Sequence, residues 1–267
     1  GDKVAGCLGA ANVEAGDIVF EASSYGEISC CVEDYRPDVQ EKRLDILAAA
    51  VPGKYYVTHF IAGSGITLDW FVKHFVRKEE SLKDAFARID QAAKAVPAGC
   101  DGMMAMGLLG GSSMPLSEDL KGLFMGFDWS HDTEHFYRAL LESFSYDFSL
   151  ALERVDCLYP EYSWDTVKMI GGGAKSALWP AMAADITGKK HGTLDRGDVS
   201  MWGACILAGN AVGIFENPEE TAKKHVKVSK IYQPSAADCK LYEDRKRLYK
   251  AYMQELPAFY KRLEKCS

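Results

Sequence analysis

The chain has 267 residues, with 31 Lys and Arg against 38 Asp and Glu, and a formal net charge of -7. That balance argues against an extensive nucleic-acid footprint, which needs a clustered basic surface. No apolar run approaches the roughly 20 residues of a membrane-spanning helix, so neither nucleic acid nor membrane is expected as a partner. The length suits one large domain or two small ones and allows a sizeable core. Eight cysteines (Cys7, Cys30, Cys31, Cys100, Cys157, Cys205, Cys239 and Cys266) are scattered with no CxxC pair. This usage predicts free thiols in a reducing, cytoplasmic setting. The chain opens Gly1-Asp2-Lys3 without an initiator Met and without a signal-peptide pattern, which leads us to expect a fragment or a processed form.

In chain order, residues 17–24 and 27–33 read as two β-rich runs around Tyr25-Gly26, a hairpin pattern. Residues 55–62 form a further strand candidate. Leu68, Phe71, Val72 and Phe75 recur at helical spacing within 66–76, and 82–96 is a second helix candidate ended by Pro97 and Gly99. A short apolar run at 103–109 precedes the loop Gly110-Gly111-Ser112-Ser113-Met114-Pro115, whose composition predicts a loop. Its Ser112–Pro115 part is also a candidate to face a substrate cleft. The longest helix is expected from Asp132, its N-cap, to about Val155, with Phe136, Leu140, Phe144 and Phe148 on its core face.

Residues 166–170 read as a strand that runs into Gly171-Gly172-Gly173-Ala174-Lys175-Ser176 and then a helix. A strand that ends in bare backbone at a helix start offers unpaired N–H groups to an anion, and glycine lets a phosphate or adenosine approach closely. A tight turn without ligand is the plainer alternative. A helix over 201–211 follows, with Gly203 and Gly209 allowing close packing. The tail 236–265 is charged and helical, with Leu241, Leu248, Tyr252 and Leu256 as its apolar side and Pro257 expected to break or kink it. The domain expectation is one unit over 1–235, with 236–267 as a helical extension packed on it. A β-rich start followed by alternating elements favours an α/β layered domain.

Three groups could carry chemistry. Asp2 stands ahead of a glycine-punctuated helix, Gly6-Cys7-Leu8-Gly9. It could accept a proton from a hydroxyl or simply cap the helix, and on the residues alone the cap is favoured. Gly63-Ser64-Gly65 ahead of Trp70 is either a ligand-facing turn or an ordinary helix start. Trp129, His131 and His135 could be a catalytic or metal cluster, but surface and helix-start roles fit them better. Asp185 and Asp195 have no partner spacing that suggests a site.

The segment Gly1–Ala10 resembles the Gly-Asp-x-x-Ala-Gly-x-Leu-Gly-x stretch that opens the C-terminal domain of the FGGY carbohydrate kinases. Residues 121–127 with 135–142 are similar to that family's second signature, with Phe127 and Leu140 departing mildly. Residues 171–176 resemble its adenosine motif, and 199–209 the Gly-Ala-Ala helix that follows. All four lie in the family's order and together cover essentially the whole chain. The resemblance implies a ribonuclease H-like, actin-type α/β domain, a mixed sheet flanked by helices. It further implies an ATP- and Mg²⁺-dependent sugar kinase with Asp2 as catalytic base. Ser24, Tyr25 and Gly26 would lie on the phosphate side with Gly65 on the nucleotide side, and Gly172, Gly173, Ala174 and Lys175 at the adenosine. The stretch Gly-Gly-Gly-Ala-Lys-Ser-x-Leu-Trp looks closest to the xylulokinase branch, so a xylulose-like ketose is favoured.

Two departures stand out. Where the family carries a Gly-Thr-Ser phosphate turn, this chain has Ser23-Ser24-Tyr25-Gly26, with Tyr25 read at the Thr position. That predicts phosphates held differently or nucleotide binding weakened. The family's N-terminal domain is also missing, so the sequence resembles one half of a kinase, expected to lack full activity alone and to partner the absent domain and a sugar. Homodimer formation stays open. The alternatives are a glycerol or other polyol kinase, and a catalytically impaired actin-type regulatory domain.

Overall fold

The computed structural model describes residues 1–113, 116–117 and 120–264. The chain opens with helix α1 (Asp2–Gly9) and continues through strands β1 (Ile18–Ala22), β2 (Gly26–Val32), β3 (Asp45–Ala48) and β4 (Tyr55–Ile61). Helix α2 (Ser64–Phe71) runs into a π-helical turn, Val72–Val76, and α3 (Leu82–Ala92) follows. Four short strands come next: β5 (Met104–Met106), β6 (Ser112–Ser113), β7 (Leu116–Ser117) and β8 (Leu123–Met125). The long helix α4 (Thr133–Leu158) leads to β9 (Thr166–Ile170), α5 (Trp179–Thr187) and β10 (Lys190–Leu194). The chain closes with α6 (Val199–Ala211), α7 (Pro218–His225), β11 (Val228–Tyr232) and α8 (Ala236–Glu264).

Seven strands form one mixed sheet in the order β11-β10-β9-β1-β2-β4-β3. β1, β2, β4 and β3 pair antiparallel, whereas β9 lies parallel to both β1 and β10. The parallel β9–β10 step needs a crossover, and α5 provides it. Alternation along β1 sorts the two faces. Ile18, Phe20 and Ala22 join the main core with residues of α2, α3, α4, α5 and α8, while Val19 points to the opposite face. That second face is covered by α1, α6 and α7 through Leu8, Ile206 and Ala222, joined by Val13 of the connection after α1. On the main-core side Phe20 stacks on Phe148 of α4 with ring centroids 4.5 Å apart, and the Trp179 indole donates to Ser145 Oγ at 3.0 Å. The mixed sheet flanked by helices is the architecture expected from the sequence.

Several local expectations change. The π turn after α2 shifts the helical register, so Val76 becomes buried and Phe75 turns out to solvent. Asp132 caps α4 as expected, accepting from His135 N at 3.3 Å in a capping box, and the helix runs on to Leu158. Glycines 171–173 do not open a helix directly. Gly172–Lys175 is a 3₁₀ turn, and α5 begins only at Trp179. The Met114-Pro115 end of the loop at 110–115 lies outside the described residues.

The face of α8 is also different. Leu241 and Leu248 are exposed, and Tyr242, Tyr249 and Tyr260 are buried instead. A buried tyrosine hydroxyl needs a partner, and α4 supplies carboxylates. Tyr242 donates to Glu142 at 2.8 Å and Tyr249 to Asp147 at 2.9 Å. Pro257 does not end the helix. Beyond it, Tyr260 bonds the Lys121 carbonyl at 3.1 Å, while Met253 and Leu256 pack on the core. These contacts offset the missing backbone bond.

Candidate functional site

At the ends of β1 and β9 a cavity of about 580 Å³ opens between three walls. One wall is the β1–β2 turn with the start of α2, giving Ser23, Ser24, Gly65, Leu68 and Asp69. Across from it the post-β9 turn gives Gly172, Gly173, Lys175 and Ser176. The third wall is α3, giving Lys83, Phe86, Ala87 and Asp90. Tyr137 and Trp179 close the base. An apolar cleft with a few convergent polar groups is the usual form of a small-molecule site.

The first wall is fixed by backbone bonds. Gly65 N donates to Ser23 O and Ile66 N to Ser24 O, each at 3.0 Å, and Ser64 Oγ reaches Ser23 O at 3.2 Å. A Cβ on Gly65 would sit 2.3 Å from Ser23 O, so only glycine permits this approach. These bonds occupy two amides at the start of α2, leaving the Ser24 end of the turn to face the cavity. Tyr25 does not line the wall. It is half-exposed and its ring packs 5.3 Å from that of Phe60. Gly26 begins β2 and is buried, where a Cβ would stand 3.1 Å from Ile61 Cβ. Of the three residues read as the phosphate turn, therefore, the structure brings Ser24 to the cavity and leaves Tyr25 and Gly26 in packing roles.

The three glycines of the second wall have three different jobs. Gly171 has φ of 86°, and a Cβ there would meet Ala22 O at 2.7 Å. Gly173 is buried, where a Cβ would meet Ala22 Cβ at 2.5 Å and the Trp179 ring at 2.7 Å. Gly172 lines the cavity, and a Cβ on it would have no neighbour within 4 Å. Ala174 packs against the main core and is not a lining residue. Lys175 lines the cavity.

Asp2 is the first residue of α1, after Gly1 at the N-cap, and it is exposed. Its Oδ1 accepts from Lys3 N at 3.0 Å. Lys3 turns away to the hairpin, with Nζ 2.8 Å from Glu27 Oε2 and 3.5 Å from Glu21 Oε2. Glu21 in turn lies 2.7 Å from Ser23 Oγ. Asp2 therefore stands at the end of a helix tied to the β1–β2 turn, with no ion-pair partner for its carboxylate among the described residues. Burial raises the Glu27 carboxyl above its ordinary value, and the Lys3 ammonium pulls it partly back.

Sequence reasoning missed Asp90, Lys83 and Phe86. Their spacing on α3 puts Lys83, Phe86, Ala87 and Asp90 on one face, a stripe too mixed in polarity to be core. Read with the glycine turn, it would have indicated a cavity wall. His131 and His135 are held by Asp128, Asp132 and Asp101 near the start of α4. Among the described residues no group of three or more His, Cys, Asp or Glu side chains could hold a metal ion. Asp185 accepts from Ser235 N at 2.7 Å, a structural bond.

Residues 29–212 match the model of the FGGY family of carbohydrate kinases, C-terminal domain. The xylulose kinase of Bacillus subtilis is 28% identical over 252 residues, covering 93% of this chain and 48% of that protein. A gluconokinase of Bacillus licheniformis is 28% identical over 223 residues, 81% of this chain and 43% of the relative. The crystal structure of xylulose kinase from Rhodospirillum rubrum superposes with a TM-score of 0.84 at 25% identity, covering 97% of this chain and 51% of that one. A Plasmodium falciparum glycerol kinase structure with ADP shares the fold, with a TM-score of 0.78 at 16% identity over 95% of this chain and 50% of that one. The chain spans about half the length of the relatives it matches.

Proposed function

The chain belongs to the FGGY family of carbohydrate kinases and has the actin-type fold of the family's C-terminal domain, and we propose that it forms the C-terminal half of an ATP-dependent sugar kinase. The observation that carries this reading is the convergence of Ser24, Gly65, Gly172, Gly173 and Lys175 on one cavity. These residues come from segments more than a hundred positions apart in the sequence. The apolar side, with Phe86, Ala87 and Leu68, suits an adenosine. Ser24 and Lys175 suit the anionic part of the nucleotide.

Phosphoryl transfer needs positioning and charge stabilisation more than covalent chemistry. In this reading Asp2 accepts the proton of the sugar hydroxyl as the sugar oxygen attacks the γ-phosphorus and the bond to the β,γ-bridging oxygen breaks, releasing ADP. The unpaired carboxylate is suited to that, and the Lys3–Glu21–Ser23 chain of contacts holds α1 beside the phosphate turn. Among the described residues no group of side chains forms a metal site by itself. The second half of the protein would close over the cleft and exclude water as a competing acceptor.

Among sugars we favour a xylulose-like ketose, supported by the xylulose kinase relatives and by the Gly-Gly-Gly-Ala-Lys-Ser-x-Leu-Trp turn. The test is an ATP-dependent phosphorylation assay, over xylulose, gluconate and glycerol, of the enzyme with both halves present. Preferential turnover of xylulose supports the reading, and turnover of glycerol alone replaces it with a polyol kinase. A second reading, an actin-type regulatory domain with catalysis lost, has one observation in its favour: Tyr25, at the position where the family carries Thr, does not line the cavity. Nucleotide binding without turnover of any sugar would establish it.

A further inference from the structure

Asp90 sits on α3, nearly buried, at the junction of two cavity walls. Its Oδ1 accepts from Ser176 Oγ at 2.6 Å and lies 3.4 Å from the Tyr137 hydroxyl, and its Oδ2 accepts from Ala177 N at 2.6 Å. Ser176 Oγ in turn accepts from Leu178 N at 3.0 Å and Trp179 N at 2.8 Å, the entry into α5. The carboxylate thus ties the end of the glycine turn to α3 and borders the base residue Tyr137. No salt bridge to Asp90 occurs among the described residues, so its charge is met by hydrogen-bond donors alone. Bonds to an ionised group are about twice as strong as neutral ones.

This arrangement has a consequence for ligand binding. The turn 171–176 is built on a short 3₁₀ turn, Gly172–Lys175, rather than a helix start, and glycine backbone has more conformations open to it than any other. Gly172 on that turn and Phe86 and Ala87 on α3 line the same cavity. Asp90 joins the two from inside the wall. We propose that Asp90 is a positioning residue for the nucleotide: it sets the spacing between α3 and the glycine turn, so that the cavity is already formed before the nucleotide enters. The proposal rests on the nucleotide reading of this cavity. Losing the clamp would leave the nucleotide to order the turn as it binds, and affinity would fall by that cost.

The experiment titrates the protein with ADP by calorimetry in four forms: wild type, Gly172→Leu, Asp90→Asn and Asp38→Asn. Asp38 is the matched control. It is equally buried, accepts from Arg154, Glu41 N and Arg43 N, and lies outside the cavity wall. Asp90→Asn keeps size but leaves one acceptor oxygen where the carboxylate has two, so the bonds from Ser176 Oγ and Ala177 N cannot both be kept as they are. We expect Asp90→Asn to weaken ADP about tenfold, the worth of one hydrogen bond to a charged group, and Asp38→Asn to leave ADP affinity unchanged although both lower the melting temperature. Unchanged ADP affinity in Asp90→Asn overturns the inference, as does equal weakening in Asp38→Asn. If Asp90→Asn does not fold, Ser176→Ala, which removes the partner side of the same clamp, takes its place with the same expectation. If wild type fails to bind ADP, or Gly172→Leu binds it as well as wild type does, the nucleotide reading itself fails.

Discussion

Gly9 of α1 and Gly203 of α6 cross so closely that a Cβ on Gly9 would lie 2.8 Å from Gly203 N, and one on Gly203 3.0 Å from Gly9 N. Each added atom would also stand 1.8 Å from a carbonyl oxygen, Val199 O and Ala5 O respectively. Backbone presses on backbone here, and neither side has a rotamer with which to yield. The crossing fixes the depth at which α1 sits on the sheet, and therefore where Asp2 stands relative to the β1–β2 turn.

Gly203→Ala tests that relationship. In a free helix the change would stabilise by roughly 1 kcal/mol. Here the overpacking should reverse the sign and destabilise by about 1–3 kcal/mol, read as a lower urea midpoint with unchanged slope. Because α1 must move, turnover should also fall while ADP affinity is retained.

Two buried histidines make the fold acid-sensitive. Burial lowers His59 to about 4, against the opposing bond to the Arg43 carbonyl, and burial lowers His191 to about 3. Both folded values lie below the ordinary 6.5, so each contributes stability that is present above pH 6.5 and lost as pH falls toward the folded value. Each should remove roughly 1.4 kcal/mol per pH unit in that window. Denaturant unfolding of His191→Gln between pH 6.5 and 4 should show a shallower decline than wild type by about that slope; parallel curves would contradict the assignment.

Asp147 runs the other way. Burial raises it to about 6, with the Tyr249 bond pulling it down in part. A carboxyl whose folded value lies above its unfolded one contributes stability at low pH and loses it as pH rises through 6. Asp147→Asn should therefore gain in stability relative to wild type as pH goes from 4 to 8. A difference that is flat with pH would mean that Asp147 is ionised in the fold.

The architecture was largely legible from residue patterns. The hairpin around Tyr25-Gly26, the capped helix after Asp132 and the strand 166–170 all follow from local periodicity and turn chemistry. What was not legible depends on contacts across the chain. The tyrosine face of α8 needs the carboxylates of Glu142 and Asp147, about a hundred residues earlier. Asp90 becomes a wall residue only when the turn at 176 folds back on it, 86 residues away. The glycine triplet stood out in the sequence, but which of its positions could take a Cβ is decided by Ala22 and Trp179, which no local reading contains. Tyr25 was placed on the phosphate side by its position in the turn, whereas its ring found Phe60.

Gly172 and Gly173 should differ in stability but not in binding when each is changed to Leu. Leucine at Gly173 must displace Ala22 and Trp179 from the core, so it should lower the melting temperature sharply and abolish ADP binding with it. Leucine at Gly172 enters open space, so it should keep the melting temperature and still abolish ADP binding. Thermal unfolding and calorimetry on both variants check the pair. A Gly172→Leu protein that binds ADP normally would place the nucleotide elsewhere.

The most direct test concerns Asp2. In the enzyme with both halves present, Asp2→Asn keeps size and the bond from Lys3 N but removes the proton acceptor. As a general base, Asp2 should be worth about 10²–10⁴ in turnover, so kcat with ATP and the preferred sugar should fall by that factor while the KM for ATP stays nearly constant. As a group acting only at the helix start, it would be replaced by Asn almost without loss. A steady-state measurement of kcat and the ATP KM for this one variant decides between them: a fall of two to four orders of magnitude in kcat alone is the predicted result, and turnover equal to wild type would contradict the account.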